Sequence, residues 1–461
     1  TLTSFLFLLQ RGLSTGISVF APSIILSSLF GWNIYYTNIL MGGLLIIYTM
    51  SGGAKAVAYT QQLQLIIIFT GMFLAAYMVV NMLPDNVSFT DALEVSGKMG
   101  KLNVITTGFE NGKFNWSDQY NLFSGLIGGF FLALSYFGTD QSQVGRYLTA
   151  KSLKQSRMGL LMNGFVKIPM QFGILLIGVL VFSFYQFNKA PIFFNDVQLK
   201  KLESSVYKDS LVIATTQYEA ITTLKQKAVV DYSAASDIND KTAKAASMNT
   251  LEGLQKKSDS LRKSVKGWLA SKEVGGDNND TNYIFLRFVV DNLPVGLVGL
   301  LIAIIFLASW GSIAAAINSL ASCTMIDFHR RFTKKKDTEE TEYKLSKKYT
   351  LAWGIFCIIV AMFTYNVGNS LIEAVNVLGS LFYGVILGVF LVAFMFKNIK
   401  SGHVVFWGAV LAEVLVLTVF ILTKVGVFKM GFLWLNPIGA FGVIIFSLIL
   451  NKIIPKKIAL N

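Results

Sequence analysis

The sequence predicts an all-α polytopic membrane protein with about ten spans. Three observations carry that reading. The first is composition: of 461 residues, 53% are hydrophobic and 14% charged, where an average soluble domain carries about 25% charged residues. The second is length. Crossing the ~30 Å hydrocarbon layer takes roughly 20 apolar residues, and such runs recur at 4–30, 34–51, 57–83, 122–144, 158–185, 289–326, 349–366, 370–396, 403–423 and 431–451. The third is where the charge sits. The net charge is +14, but the basic residues crowd at the ends of the apolar runs instead of forming a patch for nucleic acid. Short alternating segments, the mark of a membrane β-barrel, are missing.

Taken in order, several of the first five runs exceed the minimum length, which predicts tilt or kinks. Residues 186–288 break the pattern: they are polar, with 15 basic and 12 acidic residues between Lys189 and Arg287. Leu211–Val229 and Leu251–Leu269 have helical apolar spacing, so a small helical insert is expected there, outside the membrane. Spans resume at 289–396, and two more follow in 397–461. With the first residue placed inside and the spans alternating, the inner segments hold 18 basic against 5 acidic residues. The short outer segments, 85–118 and 424–429, hold 5 of each. The positive-inside rule then places both chain ends in the cytoplasm and the insert outside. The expected location is the plasma membrane, in a bacterium the inner membrane. Cys323 and Cys357 both fall in apolar runs and give no disulfide or metal framework. His329 and His403 stand at inner helix ends.

Four places put polar residues at membrane depth. In 52–64, GGAKAVAYTQQLQ, Gly52 and Gly53 are expected to end one helix and Thr60 to begin the next. Gln61 and Gln64 then share a face, either as an interhelical hydrogen-bond pair or as part of a site. In 128–157, Gly138 is expected to break a helix just before Asp140, Gln141, Ser142 and Gln143. An acid inside a span is functional unless neutralised. Asp140 therefore belongs either to a solute pathway or to a structural ion pair, with Arg146 the candidate partner. In the eighth span, Asn366, Asn369, Ser370, Glu373 and Asn376 make a polar mouth, either an outer gate or a set of satisfied polar groups. The fourth is 297–331, whose helix turns small and hydroxylic through Ala308, Ser309, Gly311, Ser312 and Ala314. Such a face either packs closely on other helices or lines a cavity, and hydroxyls with freed carbonyls suit a small hard cation. No nucleophile elbow, phosphate loop or metal-ligand cluster supports catalysis.

Three of these blocks carry a resemblance to the sodium:solute symporter family. GGAKAVAYTQQLQ resembles that family's GG-x-x-A-V-x-x-T-D-x-x-Q. YFGTDQSQVGRYLTAKSLKQSR is similar to Y-F-G-T-D-Q-x-x-V-Q-R-Y-L-A-A-K-S and is the most specific. LIAIIFLASWGSIAAAINSLASCTMIDFHRRF resembles the A-A-x-M-S-S-x-x-S-x-L-N-S…D-x-Y-R-R helix. The resemblance implies a LeuT-type bundle of two inverted five-helix repeats. Residues 1–185 would end the first repeat and start the second, 289–396 would complete it, and 397–461 would add two peripheral spans. It also implies that earlier core helices lie outside this sequence.

Carried over by residue, the resemblance implies a Na⁺ site at the Ala308 carbonyl and the Ser312 hydroxyl. Gly311 stands where the family has a serine, Ala315 where it has another, and Gln61 where it has an aspartate. Members with a second sodium use the last two, so one Na⁺ per cycle is expected. Asp140, Ser142, Gln143 and Asn376 are placed by the resemblance beside a small organic solute: a sugar, sialic acid, monocarboxylate or vitamin-like molecule. The implied activity is sodium-coupled symport, not enzymatic catalysis. The alternative is a sensor or a sodium-independent carrier of the same fold, which the Gly311 substitution motivates.

Overall fold

The computed structural model describes residues 1–84, 87–103, 105–148, 150–238, 240–333, 338–364, 370–399 and 401–453, with the side chains of 52–63 and 237 outside the description. Gln61, Asn366 and Asn369 thus lie outside the described residues or side chains. Helix α1 (Leu2–Phe30) stops at Gly31, whose φ of +66° is the left-handed cap that glycine adopts freely. Asn33 caps α2 (Ile34–Asn81) by accepting from the Tyr35 amide. The expected break at Gly52–Gly53 is not there: helical backbone joins the apolar stretches Ile34–Ser51 and Gln64–Asn81. Each glycine costs a helix only about 1 kcal/mol, less than stranding backbone groups in an apolar medium.

Helix α3 (Phe89–Lys98) begins with a capping box between Ser88 and Asp91. A two-residue hairpin, β1 (Phe109–Glu110) and β2 (Lys113–Phe114), turns on Asn111 and Gly112, both at positive φ. A π-helical turn, Ser124–Gly129, leads into α4 (Phe130–Thr139), α5 (Gln141–Leu148) and α6 (Leu153–Phe187). The polar region contains α7 (Asp196–Glu203), α8 (Lys208–Asp237), α9 (Lys241–Leu269) and α10 (Ile284–Asn292). Helix α11 (Val295–Cys323) continues through a π-helical turn into α12 (Arg330–Phe332). The chain ends in α13 (Glu339–Thr364), α14 (Leu371–Met395), α15 (Gly402–Val425) and α16 (Leu435–Ile453).

Among the described residues, nine helical segments are long and apolar enough to cross a membrane, and Ser124–Thr139 is a shorter apolar one. These ten fall on the ten runs read from the sequence. Helix α1 organises them, packing against α2, α11, α13 and α14. Its middle (Val19, Phe20, Ile24) joins one apolar core with α2, α6 and α11. Its start (Leu6, Phe7, Leu8) joins a second core with α14, α15 and α16. Helices α14 and α16 meet backbone to backbone: a Cβ on Gly384 would stand 2.4 Å from the Asn436 carbonyl oxygen, and one on Gly388 would stand 2.8 Å from that of Ala440.

In the polar region α8 and α9 form a hairpin that joins two small cores, one around Tyr232 and Leu251 shared with Ala92 and Val95 of α3, and one around Phe193 and Leu269. Buried Asp280 pins it. Its carboxylate accepts from Arg262 at 2.5 Å and from the Phe194 amide at 3.2 Å, and pairs with Lys266 at 2.9 Å. Burial pushes the neighbouring Asp277 carboxyl up to about 6.

Gly384→Ala should lower the melting temperature of the protein in detergent, because overpacking against backbone costs about 1–3 kcal/mol. Gly164→Ala, with nothing within 4 Å of the added atom, should not lower it. Asp277 titrates higher folded than unfolded, so the folded state holds its proton more tightly. The stability it contributes is full at low pH and is lost between about pH 4 and about pH 6. The protection factors of the α9 amides, with the intrinsic pH dependence of exchange divided out, should therefore fall across that window. Asp277→Asn should flatten the fall, and an unchanged slope in that variant would refute the assignment.

Candidate functional site

The site is built on the break between α4 and α5. The helix does not end at Gly138, as expected from the sequence, but two residues later at Asp140, whose φ of −74° and ψ of 118° are extended. The reason is local chemistry. Asp140 caps α5: its Oδ1 accepts from the Ser142 amide at 2.7 Å and the Ser142 hydroxyl at 2.6 Å. Its carbonyl takes the amides of Gln143 and Val144. A glycine could bend the helix and offer the same carbonyl, but it could not supply the carboxylate.

The second carboxylate oxygen reaches across the bundle. Tyr383 of α14 donates to Oδ2 at 2.5 Å, and the Arg11 guanidinium of α1 faces the same atom at 3.9 Å. The Asp140 side chain is 0% exposed and that of Arg11 15%. Among the described residues the acid's ion pair is with Arg11 on another helix; Arg146, the candidate partner from the sequence, lines the neighbouring cavity. The Ser135 hydroxyl donates to the Tyr383 carbonyl at 2.7 Å, which fastens α4 to α14 on the same side. Gln143 donates from Nε2 to the Tyr136 hydroxyl at 2.7 Å.

Beside this network lies a cavity of about 510 Å³, within the usual range for small-molecule sites. Arg11, Tyr136, Gln143, Arg146, Asn163, Lys167 and Ser312 supply its polar wall, and Phe137, Met162 and Met170 are among its apolar residues. Ser312 of α11 therefore stands in the same space as the broken helix. On that helix the hydroxyls of Ser309 and Ser319 donate to the carbonyls of Ile305 and Ala315. Ser312 makes no such bond among the described residues and is exposed to the cavity. Its hydroxyl suits a hard cation as an uncommitted oxygen ligand. Ala308 is half-buried and Gly311 buried on the same helix, and Gly311 brings no hydroxyl.

The remaining expected residues fall elsewhere. Asp140 and Ser142 are buried behind the cavity wall with their oxygens engaged, so of the acidic motif only Gln143 lines it. Asn376 is half-buried on α14 and does not line this cavity. One turn earlier, Glu373 lines a separate cavity of about 220 Å³ with Gln119 and Lys424. Sequence reasoning passed over Arg11, Lys167 and Tyr383. The first two had a usable signal, since a cation inside an apolar run is costly unless it faces the bundle interior.

A broken helix, crossed by a buried ion pair and flanked by a small-residue helix with an uncommitted hydroxyl, defines a polytopic carrier-type helical bundle. Comparison with known proteins specifies the family. The sequence model of the sodium:solute symporter family matches residues 2–203 and 263–429, and the chain belongs to that family. It is 23% identical over 410 residues to the sodium-dependent multivitamin transporter of Oryctolagus cuniculus, covering 85% of this chain and 47% of that protein. The chain therefore spans about half of that relative's length. It is also 32% identical over 127 residues to a sodium/sialic acid symporter of Proteus mirabilis, covering 27% of this chain and 26% of that protein. A solved Na⁺-coupled sialic acid symporter, in a substrate-bound outward-open state, superposes with a TM-score of 0.65 at 18% identity, covering 98% of this chain and 74% of that one. The shared fold is the LeuT-type inverted-repeat bundle.

Asp140→Ala should cost about 3–5 kcal/mol, the usual penalty for stranding one member of a buried pair. Tyr383→Phe should cost about 1–2 kcal/mol. In a double-mutant cycle read by thermal melting, Arg11→Gln combined with Asp140→Asn should cost less than the sum of the two single changes. Strict additivity would show that the two side chains do not interact.

Proposed function

We propose that the protein is a secondary active transporter that carries a small organic solute together with one Na⁺ across the plasma membrane by alternating access. The observation that carries this reading is the shared cavity, which brings the Ser312 hydroxyl to the broken helix. Family membership supports the same activity. Relatives named for vitamins, iodide, sialic acid and monocarboxylates support a small solute. In this reading the Ala308 carbonyl and the Ser312 hydroxyl hold Na⁺, and Gly311 leaves one hydroxyl fewer than the family pattern. Gln143 contacts the solute, Asp140 and Ser142 hold the helix break in place behind it, and Asn376 reaches solute only after the helices move. The positive-inside pattern supports cytoplasmic chain ends and an outer position for 186–288.

Coupling follows from linkage: whatever Na⁺ does to solute affinity, solute does equally to Na⁺ affinity. A membrane potential adds about 2.3 kcal/mol per net charge per 100 mV. A second reading, a sodium-independent carrier or sensor, is favoured by the missing hydroxyl at Gly311.

The test is uptake into proteoliposomes of labelled sialic acid, pyruvate, biotin and iodide, with and without a Na⁺ gradient. Uptake of at least one of them should follow the gradient with a Hill coefficient for Na⁺ near one. Ser312→Ala should raise the Na⁺ concentration needed by about tenfold, the loss of one oxygen ligand. Gln61→Ala should leave the coefficient unchanged. Uptake indifferent to Na⁺ would overturn symport, and a coefficient near two would overturn the single ion.

A further inference from the structure

The segment between α3 and α4 has a surface that transport through the cavity does not use. Residues 105–123 carry five aromatic side chains, Phe109, Phe114, Trp116, Tyr120 and Phe123. Ile105 is 74% exposed and Phe109 54%, and Trp116 and Tyr120 are exposed with them. The rings form one connected set: Phe114 lies edge-on to Phe109 at 5.4 Å, to Phe123 at 5.7 Å and to Trp116 at 4.9 Å. The polar backbone, in contrast, is paired inside the segment. Strands β1 and β2 bond to each other, the Asn115 amide donates to the Gly108 carbonyl at 2.7 Å, and the Leu122 amide donates to the Thr106 carbonyl at 2.8 Å. Asn121 and Ser124 serve each other, the Ser124 amide donating to Asn121 Oδ1 at 2.8 Å and the Asn121 amide to the Ser124 hydroxyl at 3.0 Å. Water would satisfy such groups unaided; internal pairing is what a segment needs where water is scarce.

The exposed rings continue the apolar side of a membrane-spanning helix. Phe123, Ile127, Phe130 and Leu134 stand three or four residues apart and are all exposed, the spacing of one side of a helix. Ser124, Gly128 and Ser135 are buried on the other side, where a Cβ on Gly128 would stand 2.6 Å from the Leu433 carbonyl oxygen. Phe109 extends the exposed stripe by one more ring, 6.2 Å from Phe123. Depth follows from length. From Phe123 to Arg146 a helical chain covers about 35 Å, against ~30 Å of hydrocarbon. Residues 146–157 hold four basic residues and no acid, the mark of a membrane edge. Phe123 therefore lies at the opposite edge, and the hairpin lies in the interfacial layer that aromatic side chains favour.

We propose that residues 105–123 are an interfacial anchor, with Ile105, Phe109 and Trp116 seated in the boundary between phospholipid headgroups and acyl chains. Glu110 and Lys113 stand opposite each other across the two strands, so the tip of the hairpin carries no net charge. Its partner is the apolar boundary of the bilayer and not a charged headgroup. The anchor is tied to two parts of the bundle. It runs directly into the span that ends at Asp140. The Trp116 carbonyl also accepts from the Gly431 amide at 2.7 Å, just before α16, and the Trp116 and Trp434 rings stand 5.0 Å apart. The bilayer thereby holds the start of the broken helix and the start of α16 at one depth. Nothing in this inference depends on the solute or the ion.

The test is fluorescence quenching on the full-length protein in nanodiscs. Cys323 and Cys357 are buried, so a cysteine placed on the surface takes a maleimide dye selectively, with the parent protein as the blank. Ile105→Cys and Phe109→Cys report on the hairpin. Leu134→Cys, deeper on the same stripe, is the reference for lipid, and Val206→Cys, 79% exposed in the polar region, is the reference for water. The quenchers are phospholipids brominated near the headgroup, phospholipids brominated near the chain end, and acrylamide in the buffer. Dyes at 105 and 109 should be quenched about twofold more by the shallow bromine than by the deep one, and should resist acrylamide relative to the dye at 206. Neither result should change with salt or with added anionic lipid. Acrylamide quenching equal to that at 206, with no effect of bromine, would place the hairpin in water and overturn the proposal. Resistance to every quencher would show that another protein surface covers it, and would overturn it too. Bromine quenching that appears only with anionic lipid would replace apolar anchoring by headgroup recognition.

Discussion

The carboxylate of Asp140 is the point on which the bundle depends. It is withheld from water, and three donors with one guanidinium stand in for water. Each belongs to a different requirement. The Ser142 groups start α5, the Tyr383 hydroxyl ties that start to α14, and Arg11 ties it to α1. An ionised acid in an apolar interior is tolerable only with such company. Once the company is assembled, three helices that lie far apart in sequence share one fixed corner.

That corner decides what the cavity can be. Arg11 has one side toward Asp140 and lines the cavity with another, so its charge is held in place before any ligand arrives. Gln143, one residue beyond Ser142, is carried to the cavity wall by the same short helix. Its hold on Tyr136 sets the direction of that phenol. Ser312 comes from the opposite wall, on a helix whose neighbouring serines spend their hydroxyls on their own backbone. The site is thus a meeting of one helix that has been broken and one that has been stripped of bulk.

Much of this was legible in the sequence, for reasons that differ by feature. The spans were legible because apolar length is a one-dimensional property. The broken helix was legible because a glycine followed closely by an acid and three polar residues interrupts an apolar run. Its exact joint was not, since Gly138 draws attention as the flexible residue while Asp140 supplies the cap that ends one helix and starts the next. The partner of Asp140 was not legible either. Arg11 and Arg146 are equal candidates on charge alone, and only the rotation of α1 about its axis selects between them. The break expected at Gly52–Gly53 failed because two glycines weaken a helix without providing anything to stop it.

The close seam between α14 and α16 gives the C-terminal helices a role that their late position conceals. Tyr383, which holds Asp140, is followed at once by Gly384, which lies on the Asn436 backbone. One residue faces the polar corner and the next is locked to α16. Helix α15 packs on both. A tilt of α14 that loosens Tyr383 from the acid therefore also works against its backbone contact with α16, so the packing of the last helices sets part of the resistance to opening the corner.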